Sequence, residues 1–147
     1  MNQKQTSIRK LLLLIFFTAF ALNFIWEMLQ MPAYAPFAQS SIQTWLFCGL
    51  AAIADALYIS LLYWLGRHLK QDKKWIAHLS WLPVTAIVIL GFVTATLVEH
   101  TALALGVWRY SEEMFKLPFL RVGILPLLQL IILPLATFWL VKQATKS

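Results

Sequence analysis

Four apolar runs, each about twenty residues long and separated by short polar stretches, limit what this chain can fold into. They cover residues 11–30, 45–66, 82–105 and 120–141. At about 1.5 Å rise per residue, each run makes a helix that matches a hydrocarbon core of roughly 30 Å. A lipid interior offers the backbone no hydrogen-bond partner, so a run of this kind must satisfy its own amides as a helix. Of the 147 residues only 12% are charged and 61% are hydrophobic, whereas a soluble domain carries about 25% charge. The expected fold is all-α: an integral-membrane, antiparallel four-helix bundle forming a single domain over residues 1–147, with sequential helices as neighbours.

The basic residues sort by side. The N-terminus, the 67–74 segment and the tail after Val141 carry nine of the twelve Lys and Arg. The 31–44 loop carries none and the 107–121 region carries three. The positive-inside rule then puts both termini in the cytoplasm and suits a multi-pass protein of a bacterial inner membrane. The net charge of +6 is explained by this topology, and no nucleic-acid partner is expected. The first residues also resemble a signal peptide, with Ala19-Phe20-Ala21 as a cleavage-like site, but the apolar run continues past it and a retained helix is expected. The single cysteine, Cys48, excludes an internal disulfide and thiol-pair redox chemistry.

Three of the six acids, Glu27, Asp55 and Glu99, fall inside the apolar runs, with His100 beside the last. A charged side chain at mid-span costs about 2.5–3.5 kcal/mol on insertion scales. Such groups have to be protonated, paired or hydrated. In the expected topology, Glu27, Asp55, Glu99, His100 and Gln129 all lie at mid-depth or toward the non-cytoplasmic side. They define a polar pocket expected to open toward the outer face. Helical spacing supports convergence: Asn23, Glu27 and Gln30 share one face, as do Asp55 and Tyr58, and Thr96 and His100. Small residues around Asp55 (Gly49, Ala51, Ala52, Ala54, Ala56) invite close approach of another span. Pro126 and Pro134 are each expected to free a carbonyl inside the fourth span, near Gln129.

Glu99 to Tyr110, with Ala102, Gly106, Trp108 and Tyr110, followed by Gly123-Ile124-Leu125-Pro126-Leu127, resembles the membrane-embedded lycopene cyclase domain family. That resemblance covers roughly a quarter of the chain. It implies a small multi-helix membrane protein that cyclises carotenoid ends by proton chemistry. Where the family carries Glu-Glu after Pro-Leu, this chain has Leu128-Gln129. The chain as a whole also looks like short four-span bacterial membrane proteins of unknown function.

The function expected from these features is an intramembrane enzyme that isomerises or cyclises a lipid-soluble, isoprenoid-like substrate by acid/base catalysis. Glu27 and Glu99 are the candidate acid and base, His100 a proton relay and Asp55 an orienting group. Asn23, Trp26, Trp108, Arg109, Tyr110 and Gln129 are candidate substrate-binding residues. Trp26, Trp108 and Tyr110 offer ring faces to a carbocation, and Arg109 suits an anionic headgroup. No cofactor is required, and no HExxH or paired-His spacing points to a metal. A proton- or cation-coupled transporter and a structural or accessory membrane subunit are alternatives, and a homo-oligomer is open in each.

Overall fold

The computed structural model describes residues 7–35 and 40–146. It is built from four helices: α1 (Ile8–Gln30), α2 (Ser41–Lys70), α3 (Trp81–Ala104) and α4 (Ile124–Ala144). Each is long and apolar enough to cross a membrane, and the chain has the build of a multi-pass membrane protein. Residues 36–39 of the 31–44 loop and Lys4 of the basic N-terminus lie outside the described residues.

Local signals set the helix ends. Ser40 accepts a hydrogen bond from the Gln43 amide and caps α2. Gln71, in the left-handed region at φ 53°, closes it. Arg67, His68 and Lys70 in its last turn complement the helix dipole. Pro83 falls in the first turn of α3, where its missing amide costs nothing. The fourth helix starts at Ile124 rather than near 120. Before it, residues 116–123 fold back on themselves: the Leu117 amide donates to Val122 O (2.9 Å), and Arg121 takes φ 55°. Pro126 therefore also sits in a first turn and frees no intrahelical carbonyl. Only Pro134 lies inside α4.

The helices run antiparallel. One cluster joins the start of α1 (Leu11, Ile15, Ala19), the end of α2 (Ile59, Leu62, Tyr63), the start of α3 (Ile87) and the end of α4 (Phe138, Val141). The start of α1 and the end of α4 thus lie at one end, the terminal end. The 31–35 and 105–123 loops meet at the other, the loop end. A short 3-10 turn, Trp75–His78, seals the terminal end. Its Trp75 indole donates to Tyr63 O (3.1 Å) and packs edge-on against Phe138. Exposed Leu, Ile, Phe and Trp side chains cover the outside of the helices, the surface that lipid requires.

Adjacency differs from the sequential order expected. α1 packs on α2 and on α4, and α3 packs on α4, while α2 and α3 make no comparable contact. The layer order is α2, α1, α4, α3, with a gap between α2 and α3. The small residues of α2 divide accordingly. Ala52 and Ala56 are buried in the bundle, while Ala51 and Ala54 face the gap. Connectivity by a short loop brought the sequential pair within reach, but packing is decided by side-chain fit, and the α2–α3 linker turns under α4 instead.

The α3–α4 contact depends on one glycine. Pro134 leaves the carbonyl of Leu130 without an amide partner. Gly91 places its bare backbone there: a Cβ at Gly91 would stand 2.2 Å from the Leu130 carbonyl oxygen. A Cβ at Gly49 would meet nothing within 4 Å. Gly91→Ala is expected to lower stability by about 1–3 kcal/mol through overpacking. Gly49→Ala should be neutral or gain up to about 1 kcal/mol of helix propensity. Thermal unfolding of both variants in detergent micelles checks this contrast.

Candidate functional site

The loop half of the bundle holds the polar residues, because α1, α2, α3 and α4 each bring theirs to the same depth. Glu27 and Gln30 (α1), Asp55 (α2), Glu99 (α3), Trp108 of the 105–123 loop and Gln129 (α4) surround a cavity of about 260 Å³. Tyr34, Phe47 and Leu130 add apolar and aromatic wall. The volume falls just below the roughly 300–1,000 Å³ usual for small-molecule pockets.

Gln129 is the centre. It is 2% exposed, and its amide is used at both ends. Its Oε1 accepts from Gln30 Nε2 at 3.0 Å. Its Nε2 faces Asp55 Oδ2 at 2.7 Å, Glu27 Oε1 at 2.8 Å and Asn23 Oδ1 at 3.1 Å. One side chain of α4 thus ties α1 and α2 together. Gln30 in turn accepts from the Trp26 indole (3.1 Å), and Asn23 donates to Ala19 O (2.8 Å).

Glu99 is held separately. It is 3% exposed. Its Oε2 accepts from the Trp108 indole at 3.2 Å and from the Tyr110 hydroxyl. The Gly123 amide, at the N-terminus of α4, donates to the same Tyr110 hydroxyl at 2.9 Å. An amide, a phenol and a carboxylate form one directed chain. Burial raises the Tyr110 phenol above its ordinary pKa, and the hydrogen bond to Glu99 adds to this. Burial likewise raises Tyr34, followed by the charges of Glu99, Glu27, Tyr110 and Asp55. Both phenols stay neutral and can donate across the physiological range.

The two loops pair across the end of the bundle. Tyr34 and Tyr110 form an antiparallel bridge. The Ala35 amide donates to Arg109 O at 2.8 Å, and the Ser111 amide to Ala33 O at 3.0 Å. Tyr34 packs against both Trp108 and Tyr110. This roof of paired loops lies across the loop end, the end toward which the pocket is expected to open. The cavity lining also includes exposed Leu50 and Ala54 of α2 and exposed Val98 of α3, beside the α2–α3 gap.

The structure brings together Glu27, Asp55, Glu99, Trp108 and Gln129 at the wall, with Tyr110 and Asn23 holding them from behind. Three expected participants stand elsewhere. His100 is exposed on the outside of α3, because a one-residue step turns a helix by about 100° and Glu99 takes the inward position. Arg109 is exposed, with its backbone rather than its guanidinium in the roof. Trp26 does not line the cavity and acts on Gln30. Thr96 bonds back to Phe92 O within its own helix and does not join Glu99. Tyr34 and Phe47 were not singled out in the sequence. Tyr34 sits four residues beyond Gln30, the last of the Asn23–Glu27–Gln30 face, but after a helix end, where periodicity stops being informative. Among the described residues no group of three or more His, Cys, Asp or Glu is arranged to hold a metal ion.

Tyr110→Phe tests the chain at Glu99. It removes one donor from a buried carboxylate and leaves the Gly123 amide unpaired, at an expected cost of about 1–3 kcal/mol. Because the folded-state pKa of this phenol is raised, its contribution is complete below pH of about 10 and is lost as pH rises further. Unfolding of wild type and variant should therefore differ at pH 8 and converge toward high pH, as followed by chemical denaturation in micelles.

In comparison with known proteins, the chain matches no family model, no curated protein and no solved structure.

Proposed function

We propose that this chain is an intramembrane enzyme that takes a lipid-soluble, isoprenoid-like molecule through the α2–α3 gap and isomerises or cyclises it by proton transfer. The observation that carries this reading is the presence of three carboxyl side chains, Glu27, Asp55 and Glu99, around one apolar cavity edged by exposed Leu50, Ala54 and Val98. Water-filled sites need no such apolar edge, and a purely structural hydrogen-bond cluster needs no cavity. No Lys, Arg or His is among the lining residues, so a phosphate or carboxylate head finds no counter-charge and a neutral hydrocarbon end is favoured.

The chemistry balances without an oxidant or reductant. A carboxyl of the Glu27–Asp55 side gives its proton to a carbon–carbon double bond, leaving a carbocation on the chain. The ring faces of Trp108, Tyr34 and Phe47 stabilise that cation. A neighbouring double bond attacks it to close a ring, or no ring forms. In either case Glu99 removes a proton from an adjacent carbon and restores a double bond. Glu99, already the acceptor for Tyr110 and Trp108, suits the role of base. Transfer of the proton from Glu99 back across the cavity resets the site.

A coupled transporter would need a polar route through the terminal half. That half is filled by the apolar cluster of Leu11, Ile15, Ile59, Ile87, Phe138 and Val141, which favours the enzyme reading. Placement in a bacterial inner membrane with both termini cytoplasmic is part of the same proposal and follows from the basic terminal end.

The test is lipid profiling in a bacterial host that accumulates linear polyprenes. Wild type should yield an isomeric product of unchanged mass. Glu99→Gln should reduce it by about 100-fold or more, the scale of a lost acid/base group, and Leu50→Trp at the rim should reduce it while leaving the fold intact. A wild-type profile identical to that of the empty host would refute the reading.

A further inference from the structure

The loop between α3 and α4 ends in a hairpin whose tip carries no polar side chain. Lys116 and Gly123 form an antiparallel bridge. The Leu117 amide donates to Val122 O at 2.9 Å, the Arg121 amide to Leu117 O at 2.8 Å and the Ile124 amide to Phe115 O at 2.9 Å. Pro118 fixes one φ of the turn. Arg121 completes it in the left-handed region, which side chains other than glycine seldom enter. The base is packed as closely: a Cβ at Gly123 would stand 2.7 Å from Met114 Sδ, and Met114 and Val122 are buried. The hairpin is therefore preformed and fixed to the bundle.

Its two faces differ. Leu117 and Leu120 turn inward onto the cluster of Ala95, Val122, Leu127 and Leu130. Phe115 and Phe119 turn outward, at 65% and 99% exposure, and Pro118 is exposed between them. Turns that meet water favour Gly, Asn, Asp and Ser, whereas this tip reads Leu117-Pro118-Phe119-Leu120. Exposed Lys116 and Arg121 bracket it. The acids of this loop, Glu112 and Glu113, come before Met114 and outside the hairpin. An apolar tip with cations at its neck matches the profile of a lipid leaflet, where phosphates overlie acyl chains. The neck also stands at the right level: its bridge pairs Lys116 with Gly123, the residue before α4, and α4 is long and apolar enough to span.

We propose that residues 115–121 form an anchor in the lipid leaflet at the loop end, with the Phe115 and Phe119 rings below the headgroups and Arg121 at the level of the phosphates. Because the turn is preformed, insertion has no backbone to order. Arg121 lays its aliphatic stem along the apolar tip and offers a planar fork to a phosphate. A second copy could also cover Phe119, but a two-fold contact between hairpins would bring Lys116 and Arg121 toward their own counterparts. Lipid phosphates instead complement them. The base of the anchor is the Gly123 amide that donates to Tyr110, so the hairpin and the chain at Glu99 share one support. The inference is independent of any reaction in the cavity.

Nitroxide labels in nanodiscs of phosphatidylcholine and phosphatidylglycerol read the depth directly. Cys48→Ala removes the chain's one thiol. In that background Glu112→Cys, Arg121→Cys and Phe119→Cys each put a single label at an exposed position, where substitution leaves the core untouched. Electron paramagnetic resonance then compares collisions with oxygen, which concentrates in acyl chains, and with a water-soluble nickel chelate. The label at 119 should lie about 5–10 Å below the phosphates, the label at 121 at their level and the label at 112 in water. A label at 119 found at or above the phosphates, or as open to the chelate as the label at 112, would overturn the proposal. So would spin–spin broadening at 119 that disappears on dilution with unlabelled protein, because a second copy would then cover the tip. Depth is read without turnover, so the result stands whatever lipid profiling finds.

Discussion

A carboxamide placed inside an apolar helix has to satisfy one oxygen and two hydrogens without water. Gln129 does so with Gln30 on one side and with Asn23, Glu27 and Asp55 on the other. That single side chain decides much of the remaining architecture. It draws α1 against α4 and brings α2 to the same point, so three helices meet at one depth. In lipid there is no hydrophobic force between helices, and interhelical hydrogen bonds worth about 0.6–2 kcal/mol each, together with close packing, hold a bundle together. With α1 committed to both α2 and α4, α3 is left to pack on the far side of α4, through Gly91 against the Leu130 carbonyl. The α2–α3 gap follows from this arrangement.

The gap and the roof give the cavity its character. The Tyr34–Tyr110 bridge spans the loop end, the Trp75 turn and the apolar cluster fill the terminal end, and exposed Leu50 and Val98 edge the cavity beside the α2–α3 gap. Two different environments for carboxyls result. Glu99 has donors from an indole and a phenol, the latter backed by the Gly123 amide that caps the start of α4. Glu27 and Asp55 share the Gln129 amide, and Gln30 adds a second hydrogen bond to Glu27. Groups of the same chemical type set in unequal hydrogen-bond surroundings are what an acid/base pair requires.

Much of this was legible in the residues. The four spans follow from run length, and the loop-end position of Glu27, Asp55, Glu99 and Gln129 follows from run order and alternation. The face shared by Asn23, Glu27 and Gln30 follows from helical spacing, which is a property of the backbone alone. What escaped depends on facts that spacing does not carry. Neighbouring helices along the chain are not obliged to touch, so the α2–α3 gap was invisible. His100 was drawn in by its adjacency to Glu99, although adjacent helical positions point about 100° apart. Trp26 has a ring that suits a cation, but its indole hydrogen goes to Gln30, and only the placed side chain distinguishes those roles. The late start of α4 reflects the 116–123 turn with Arg121 in the left-handed region, which no apolar pattern signals.

The central claim is that the α2–α3 gap is a lipid-facing entrance to the carboxyl-lined cavity. An experimental density map of the protein in lipid nanodiscs tests it most directly. The account predicts α2 and α3 apart, with an elongated density entering between Leu50 and Val98 and ending at Glu27, Asp55 and Glu99. A map in which α2 and α3 pack against each other, with side chains filling the space in front of Gln129, would contradict it.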